Sequence, residues 1–343
     1  MRQAFCAGVL AAAFSVTLAF LFADTAVEAT VRGEEATTKQ PDSIQAAAEV
    51  EQTDRNTLLT VLFDDDEQQI SMEDYLTGVL CAEMPASFEL EALKAQAIAS
   101  RTFTLRQLQA GKHGSAAVCT CSSCCQGYLS REMYLQKVGA QGEQYYDRLH
   151  QAVTETDGKV VTYAGDLIDA TFFSCSGGRT EAAAAVWGGD IPYLQAVDSP
   201  GEEAALRYSE TLELPVSEFV ENLRTIRPAF TLDVSRADAV GAVTRTAGDG
   251  VETIEIGGEA FTGKELRKLF SLRSTRFVLT LADGVARFET RGNGHRVGLS
   301  QYGANARAQE GADCEEILRY YYQGTEIKKL SRTASGQLTV SND

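Results

Sequence analysis

The chain has 343 residues, an apolar content of 44% and a formal charge of −17. That length supports a sizeable core and two domains. The acidic balance argues against nucleic acid or an anionic membrane surface as the main partner and leaves room only for a local basic cleft.

The N-terminal run Ala4 to Ala23, "AFCAGVLAAAFSVTLAFLFA", carries no charge, follows Arg2 and precedes Asp24. It is long enough to span a bilayer as a helix, and the positive-inside rule then puts the bulk of the chain outside the cytoplasm. An uncleaved transmembrane anchor over 4–23 is expected; a cleaved signal peptide ending at "VEA", 27–29, is the rival. Residues 24–56 are acidic, lack aromatics and read as a flexible tether. Folding is expected to begin near Leu58, where "LLTVLF" has strand character.

"SMEDYLTGVLCAEMP" places Ser71 and Asp74 at capping spacing, continues with a helical stripe and stops at Pro85. A second helix is predicted from Glu89 to Ala110, with Gly111 ending it. Four cysteines then crowd into "VCTCSSCCQGY", 118–128. A helix is predicted over 141–156, then a hairpin in "KVVTYAGDLIDATFF" about Ala164–Asp166, then the glycine-rich "SCSGGRTEAAAAVWGG". Residues 203–290 mix short helices with strand-like runs and read as a second lobe inserted into the first. A further glycine-rich loop, "GNGHRVG", leads into a helix from about Ser300, and the tail after Leu330 reads as loose. The predicted class is α+β and two-lobed: a principal lobe of 57–202 plus 291–330, and an inserted lobe of 203–290.

Cys6 falls in the apolar run, so seven thiols remain outside it, and an odd number cannot all pair within the chain. Cys124 and Cys125 are adjacent, and a bridge between them is strained. Their remaining near partners, Cys119 and Cys121, are too close in sequence to form a useful disulfide framework. A metal fits better, since zinc takes four ligands, commonly thiolates and histidine.

Four segments together carry a resemblance: "AEMPASFELEALKAQAIASRTFTL" at 82–105, "FFSCSGGRTE" at 172–181, "GKELRKLFSLRSTRF" at 263–277 and "GNGHRVGLSQYGA" at 292–304. In this order they resemble the stage II sporulation protein D family and the related amidase enhancers, over about 57–327. The resemblance implies a membrane-anchored lytic transglycosylase on the mother-cell side of the sporulation septum. It would cleave peptidoglycan glycan strands to 1,6-anhydro-N-acetylmuramic ends during engulfment, beside a membrane protein and a peptidoglycan amidase. The glutamate of the family's "EMP" is its catalytic acid and base, here Glu83. A carboxylate at the end of a helix is also expected to have a raised pKa, which suits a general acid. The alternative is a non-catalytic, peptidoglycan-binding enhancer of a cell-wall amidase. A zinc hydrolase is disfavoured, because four protein ligands leave a metal no open position.

Lys94 and Arg101 share a face of the second helix and are expected to hold acetyl, lactyl or peptide carboxyl groups of the glycan, with Gln96 beside them. Ser174, Ser176, Gly177, Gly178 and Thr180 form a loop that either approaches the sugar or makes an ordinary tight turn. His295, Ser300, Gln301 and Tyr302 are expected to line the cleft, and Trp187 to fill the core. By the resemblance, some family members bind zinc through two histidines and two cysteines. His113, Cys119 and Cys125 match, and Cys124 stands where the second histidine would be, so a structural zinc is expected on these four. Cys121 remains the competing fourth ligand.

Overall fold

The computed structural model describes residues 53–64, 66–332 and 338–340. The expected anchor over 4–23 and most of the expected tether lie outside them. Among the described residues no helix is long and apolar enough to cross a membrane. Val50–Asp343 forms one compact unit of mixed α and β structure.

The fold starts earlier than the sequence predicts. Thr53 and Asp54 are buried, and the Asp54 carboxylate pairs with Arg101. These last residues of the expected tether are therefore part of the core. Leu58–Phe63 is a strand, paired antiparallel with Asp66–Ser71 and parallel with Val118–Cys119. Helix α1 (Met72–Glu83) begins as its cap predicts: the Ser71 hydroxyl accepts the Asp74 N–H at 3.0 Å. It ends in an extended Met84, the conformation favoured before Pro85.

Helix α2 (Leu90–Ala110) ends at Gly111, in the left-handed conformation with φ 62°. It is the axis of the unit: it packs on α1 and on the strand Lys159–Tyr163. It also packs on three helices still to come in the chain, α4 (Gly142–Thr154), α8 (Gln301–Gln309) and α9 (Cys314–Tyr321). An element surrounded this way is buried on more than one face, which is why Ala92, Ala95, Gln96, Ile98, Ala99, Ser100 and Arg101 are all sealed. Helix α3 (Arg131–Val138), capped by Ser130, was not read from the sequence.

The expected hairpin is shorter than predicted. Its second strand is only Asp166–Leu167, and the chain then leaves to pair Phe172–Phe173 in parallel with Leu299–Ser300. This pairing brings the two glycine-rich loops together. The single C-terminal helix resolves into α8 and α9, parted at Gly311 (φ 96°) and restarted by an Asp313 capping box. The tail is less loose than expected: Glu326–Arg332 adds to the strand Lys159–Tyr163, and Leu338–Val340 pairs back onto it.

Residues 209–291 hold two three-stranded sheets with α6 (Val216–Ile226) and α7 (Gly263–Leu269). Phe219, Phe230, Phe261, Phe270, Phe277 and Phe288 fill an apolar cluster of their own there. Entry and exit adjoin, because Ser209 is the register partner of Arg291. Helix α5 (Ala183–Trp187) is a short turn after the first glycine loop.

Candidate active site

Glu83, the last residue of α1, is half-buried at a cavity of about 320 Å³. Phe103, Phe172, Phe173, Ser174, Asn293, His295 and Gln301 help to line it, and Glu83 is the one carboxylate among its described lining residues. The Gly127 N–H donates to Glu83 Oε1 at 2.6 Å. Burial pushes the carboxyl above its ordinary pKa, and the Gly127 hydrogen bond opposes that shift. Desolvation is thus the leading cause where the helix dipole was expected. A Cβ at Gly127 would lie 2.8 Å from Glu83 Oε1, so a side chain there would push the carboxylate out of this position.

His295 stacks edge-on to Phe173 (5.6 Å) and tilted against Trp187 (5.3 Å). Its Nδ1 accepts the Val297 N–H at 3.1 Å, which places the proton of the neutral ring on Nε2. Burial, with Arg267 nearby, pulls its pKa down to about 4, so the ring is neutral at pH 7. Ser174 and Gln301 line the same cavity. Tyr302 packs edge-on against Phe88 at 4.9 Å.

Several expected substrate contacts are turned inward instead. Arg101 is 0% exposed: it grips Asp54 through Nε and Nη2 and donates to the Lys159 and Val153 carbonyls. Lys94 does lie on the same side of α2, but that side faces the C-terminal end of α4, where Lys94 bridges Glu91 and Glu155. Gln96 is sealed, with its amide on Ser100 Oγ. The shared face is real; what covers it is protein.

The glycine loop is likewise occupied from within. Glu202 Oε2 accepts the Ser176 N–H (2.6 Å), the Ser176 hydroxyl (2.8 Å) and the Gly177 N–H (2.9 Å). Its Oε1 accepts the hydroxyls of Ser199 (2.6 Å) and Ser300 (2.5 Å), and Ser300 also caps α8. Five donors offset the cost of a buried carboxylate. Ser176 and Ser300 are therefore buried and tied to Glu202, Thr180 is buried with its hydroxyl accepting the Val197 N–H at 2.8 Å, and Gly178 donates back to Ser176 Oγ. Gly177 (φ 74°) is needed because a Cβ would lie 2.7 Å from the Gly292 nitrogen, and a Cβ at Gly303 would strike Ser199 Oγ and the Tyr321 hydroxyl. Glu202 carries no local pattern that marks it in the sequence. Trp187, expected in the core, is 50% exposed beside His295.

At the end of α2 the side chains of His113, Cys119, Cys124 and Cys125 converge, with their ligand atoms all within 4.8 Å of one another. His113 Nε2 lies 3.1 Å from Cys125 Sγ and 3.7 Å from Cys124 Sγ. Cys121 is outside the group, with its sulfur 3.1 Å from Ser123 Oγ. Three sulfurs and one imidazole nitrogen at this spacing suit a tetrahedral zinc. Cys125 also lines the Glu83 cavity.

A family profile described as SpoIID, stage II sporulation protein, matches residues 65–163, a span that holds Glu83 and the clustered cysteines. Stage II sporulation protein D of Bacillus subtilis (strain 168) is 38% identical over 266 residues, 76% of each chain. That of Bacillus amyloliquefaciens is 36% identical over 266 residues, covering 76% of this chain and 75% of its own. The amidase enhancer of B. subtilis is 29% identical over 302 residues, 74% of this chain and 40% of its own. Identity at this level across three-quarters of both sporulation proteins settles the relationship: the chain belongs to the stage II sporulation protein D family.

Proposed function

We propose that the chain is a peptidoglycan lytic transglycosylase with Glu83 as its single acid and base. The observation that carries this reading is the solitary carboxylate, raised in pKa by burial, in a cavity whose histidine is neutral at pH 7. An ordinary glycosidase uses two carboxylates. A lytic transglycosylase needs one, because the substrate's own C6 hydroxyl attacks. Glu83 Oε1 is engaged by Gly127, so Oε2 is the oxygen available for proton transfer. It gives its proton to the glycosidic oxygen as the C1–O bond breaks. The resulting carboxylate then takes the C6 hydroxyl proton as O6 bonds to C1. The products are a 1,6-anhydro-N-acetylmuramic end and a new 4-hydroxyl end, with Glu83 protonated again.

His113, Cys119, Cys124 and Cys125 would hold a zinc as a closed set, which makes it structural. Bound there, it would fix the loop that ends two residues before Gly127 and so steady the donor that positions Glu83. By family, the enzyme would be anchored through the run over 4–23, with its bulk on the mother-cell side of the sporulation septum. It would act in engulfment beside a membrane protein and a peptidoglycan amidase.

The likeness to an amidase enhancer favours a second reading, a peptidoglycan-binding enhancer without activity of its own. Incubation with purified glycan strands, with products identified by mass spectrometry, separates the two. Anhydro-ended fragments from the wild type and none from Glu83→Gln support the enzyme. Intact strands, together with faster turnover by an added amidase, support the enhancer.

A further inference from the structure

A second cavity, of about 800 Å³, shares His295 with the Glu83 pocket. Lys264, Arg267 and Lys268 of α7 line it, and so does Trp187 of α5. In a chain of charge −17 this concentration of cations is unusual. The two lysines are exposed, and Arg267 is half-buried with its guanidinium donating only to the carbonyls of Leu272 and Arg273. None of the three forms an ion pair among the described residues. Burial pulls the Arg267 pKa down with no carboxylate to offset it.

The acids nearby do not cancel this field. Glu181 is sealed against Arg296 and accepts from Thr246 and the Gly250 N–H. Glu265 of α7 is held by its capping box and by Arg227. Glu252 alone is an exposed acid on the cavity wall. A half-buried guanidinium without an acid, two ammonium groups with no ion pair among the described residues and an exposed indole together offer donors to an anion and a flat apolar face to a ring.

We infer that this cavity is an accessory subsite for the polymer cut at Glu83, in which Lys264, Arg267 and Lys268 bind a carboxylate carried next to the scissile sugar while Trp187 packs on a sugar face. This rests on the proposed action on glycan strands. It moves the anion-binding role expected of Lys94 and Arg101 onto the "GKELRKL" segment. Two carboxylates meet the chemistry: the lactyl group of a muramic acid freed of peptide, and the carboxyls of an attached stem peptide.

The test measures binding by the full chain carrying Glu83→Gln, so that turnover plays no part. Three probes are used: glycan strands stripped of stem peptides, the same strands with their carboxylates amidated by methylamine, and strands with stem peptides intact. The Lys264→Gln/Lys268→Gln double variant, checked for an unchanged melting temperature, should bind carboxylate-bearing strands about tenfold more weakly and amidated strands as before. A loss confined to stripped strands assigns the lactyl carboxylate; a loss confined to peptide-bearing strands assigns the stem. A double variant within about twofold of its parent on both stripped and peptide-bearing strands overturns the inference. Charge-dependent binding in a chain whose wild type yields no anhydro ends would overturn the enzymatic reading and leave the cavity as a binding site for the anionic glycan alone.

Discussion

Burial raises the Glu83 carboxyl, so the folded chain holds that proton more tightly than the unfolded chain does. Between the ordinary carboxyl pKa of about 4.3 and the raised native value, the unfolded state has lost a proton that the native state keeps. Stability from this group is therefore complete below the unfolded pKa and is lost as pH rises through the native one. Glu83→Gln removes the titration with little change of shape. Its stability relative to wild type should increase with pH across that window, as read by urea denaturation at several pH values. Glycan cleavage should fall by about two to four orders of magnitude. Activity within about twofold of wild type would remove Glu83 from the mechanism. Arg101 leads to the opposite kind of prediction. Truncating one member of a buried ion pair strands the other charge, so Arg101→Ala should cost about 3–5 kcal/mol, while Asp54→Ala/Arg101→Met should cost less than its two single changes combined. If Arg101→Ala instead leaves stability intact and raises KM, the side chain belongs to the substrate site after all. The spacing on α2 showed correctly that Lys94 and Arg101 share a face. It could not show that Asp54, 47 positions earlier, would reach that face.

Helix ends were legible because their signals are local: Ser71, Pro85 and Gly111 each act on the backbone within a turn. The glycine loops were legible as special but not as to why. The first loop wraps Glu202, whose five donors come from Ser176, Gly177, Ser199 and Ser300, and no pattern in the sequence links those segments. The cysteine loop lies between these cases. Its ligands are close in sequence, and the fold draws in Cys124 while leaving Cys121 outside. If zinc sits there, a chelator should lower the melting temperature, since metal that binds only the native state adds to its stability. Cys121→Ser should keep the metal content of the purified protein. Cys119→Ser should reduce it, with cleavage falling through the loosened Gly127–Glu83 contact. Freshly purified, reduced protein free of zinc would refute the site. A protected Cys121 beside a reactive Cys124 would keep the metal and change its fourth ligand.

On the scale of the whole molecule, the reading of 203–290 as an inserted lobe makes a claim about cooperativity. The phenylalanine cluster closes within residues 214–288, and the strands Ser209–Pro215 and Val285–Arg291 pair along their full length, so entry and exit adjoin. A segment with adjoining ends and its own core needs no covalent help from the rest of the chain. We expect an isolated Ser209–Arg291 fragment to unfold in a single cooperative urea transition, with modest stability, since so short a chain buries a smaller share of its surface. Against this stand the bonds that tie it to the glycine loops: Arg276 on the Gly177 carbonyl, Arg179 and Arg296 on the Ala247 and Gly248 carbonyls, the Gly294 N–H on the Arg273 carbonyl, and Glu181 accepting from Thr246 and the Gly250 N–H. These contacts fall on the turn 246–250 and on Arg273 and Arg276, outside the phenylalanine cluster. Losing them should free the turn without melting the core. Amide exchange on the fragment would show it: fast exchange at 246–250, with protection retained on the strands Val251–Ile256, Phe277–Ala282 and Val285–Arg291. A fragment with no transition and no protected amides would mean that 203–290 is held in shape by the loop it contacts, and that the fold is one cooperative body.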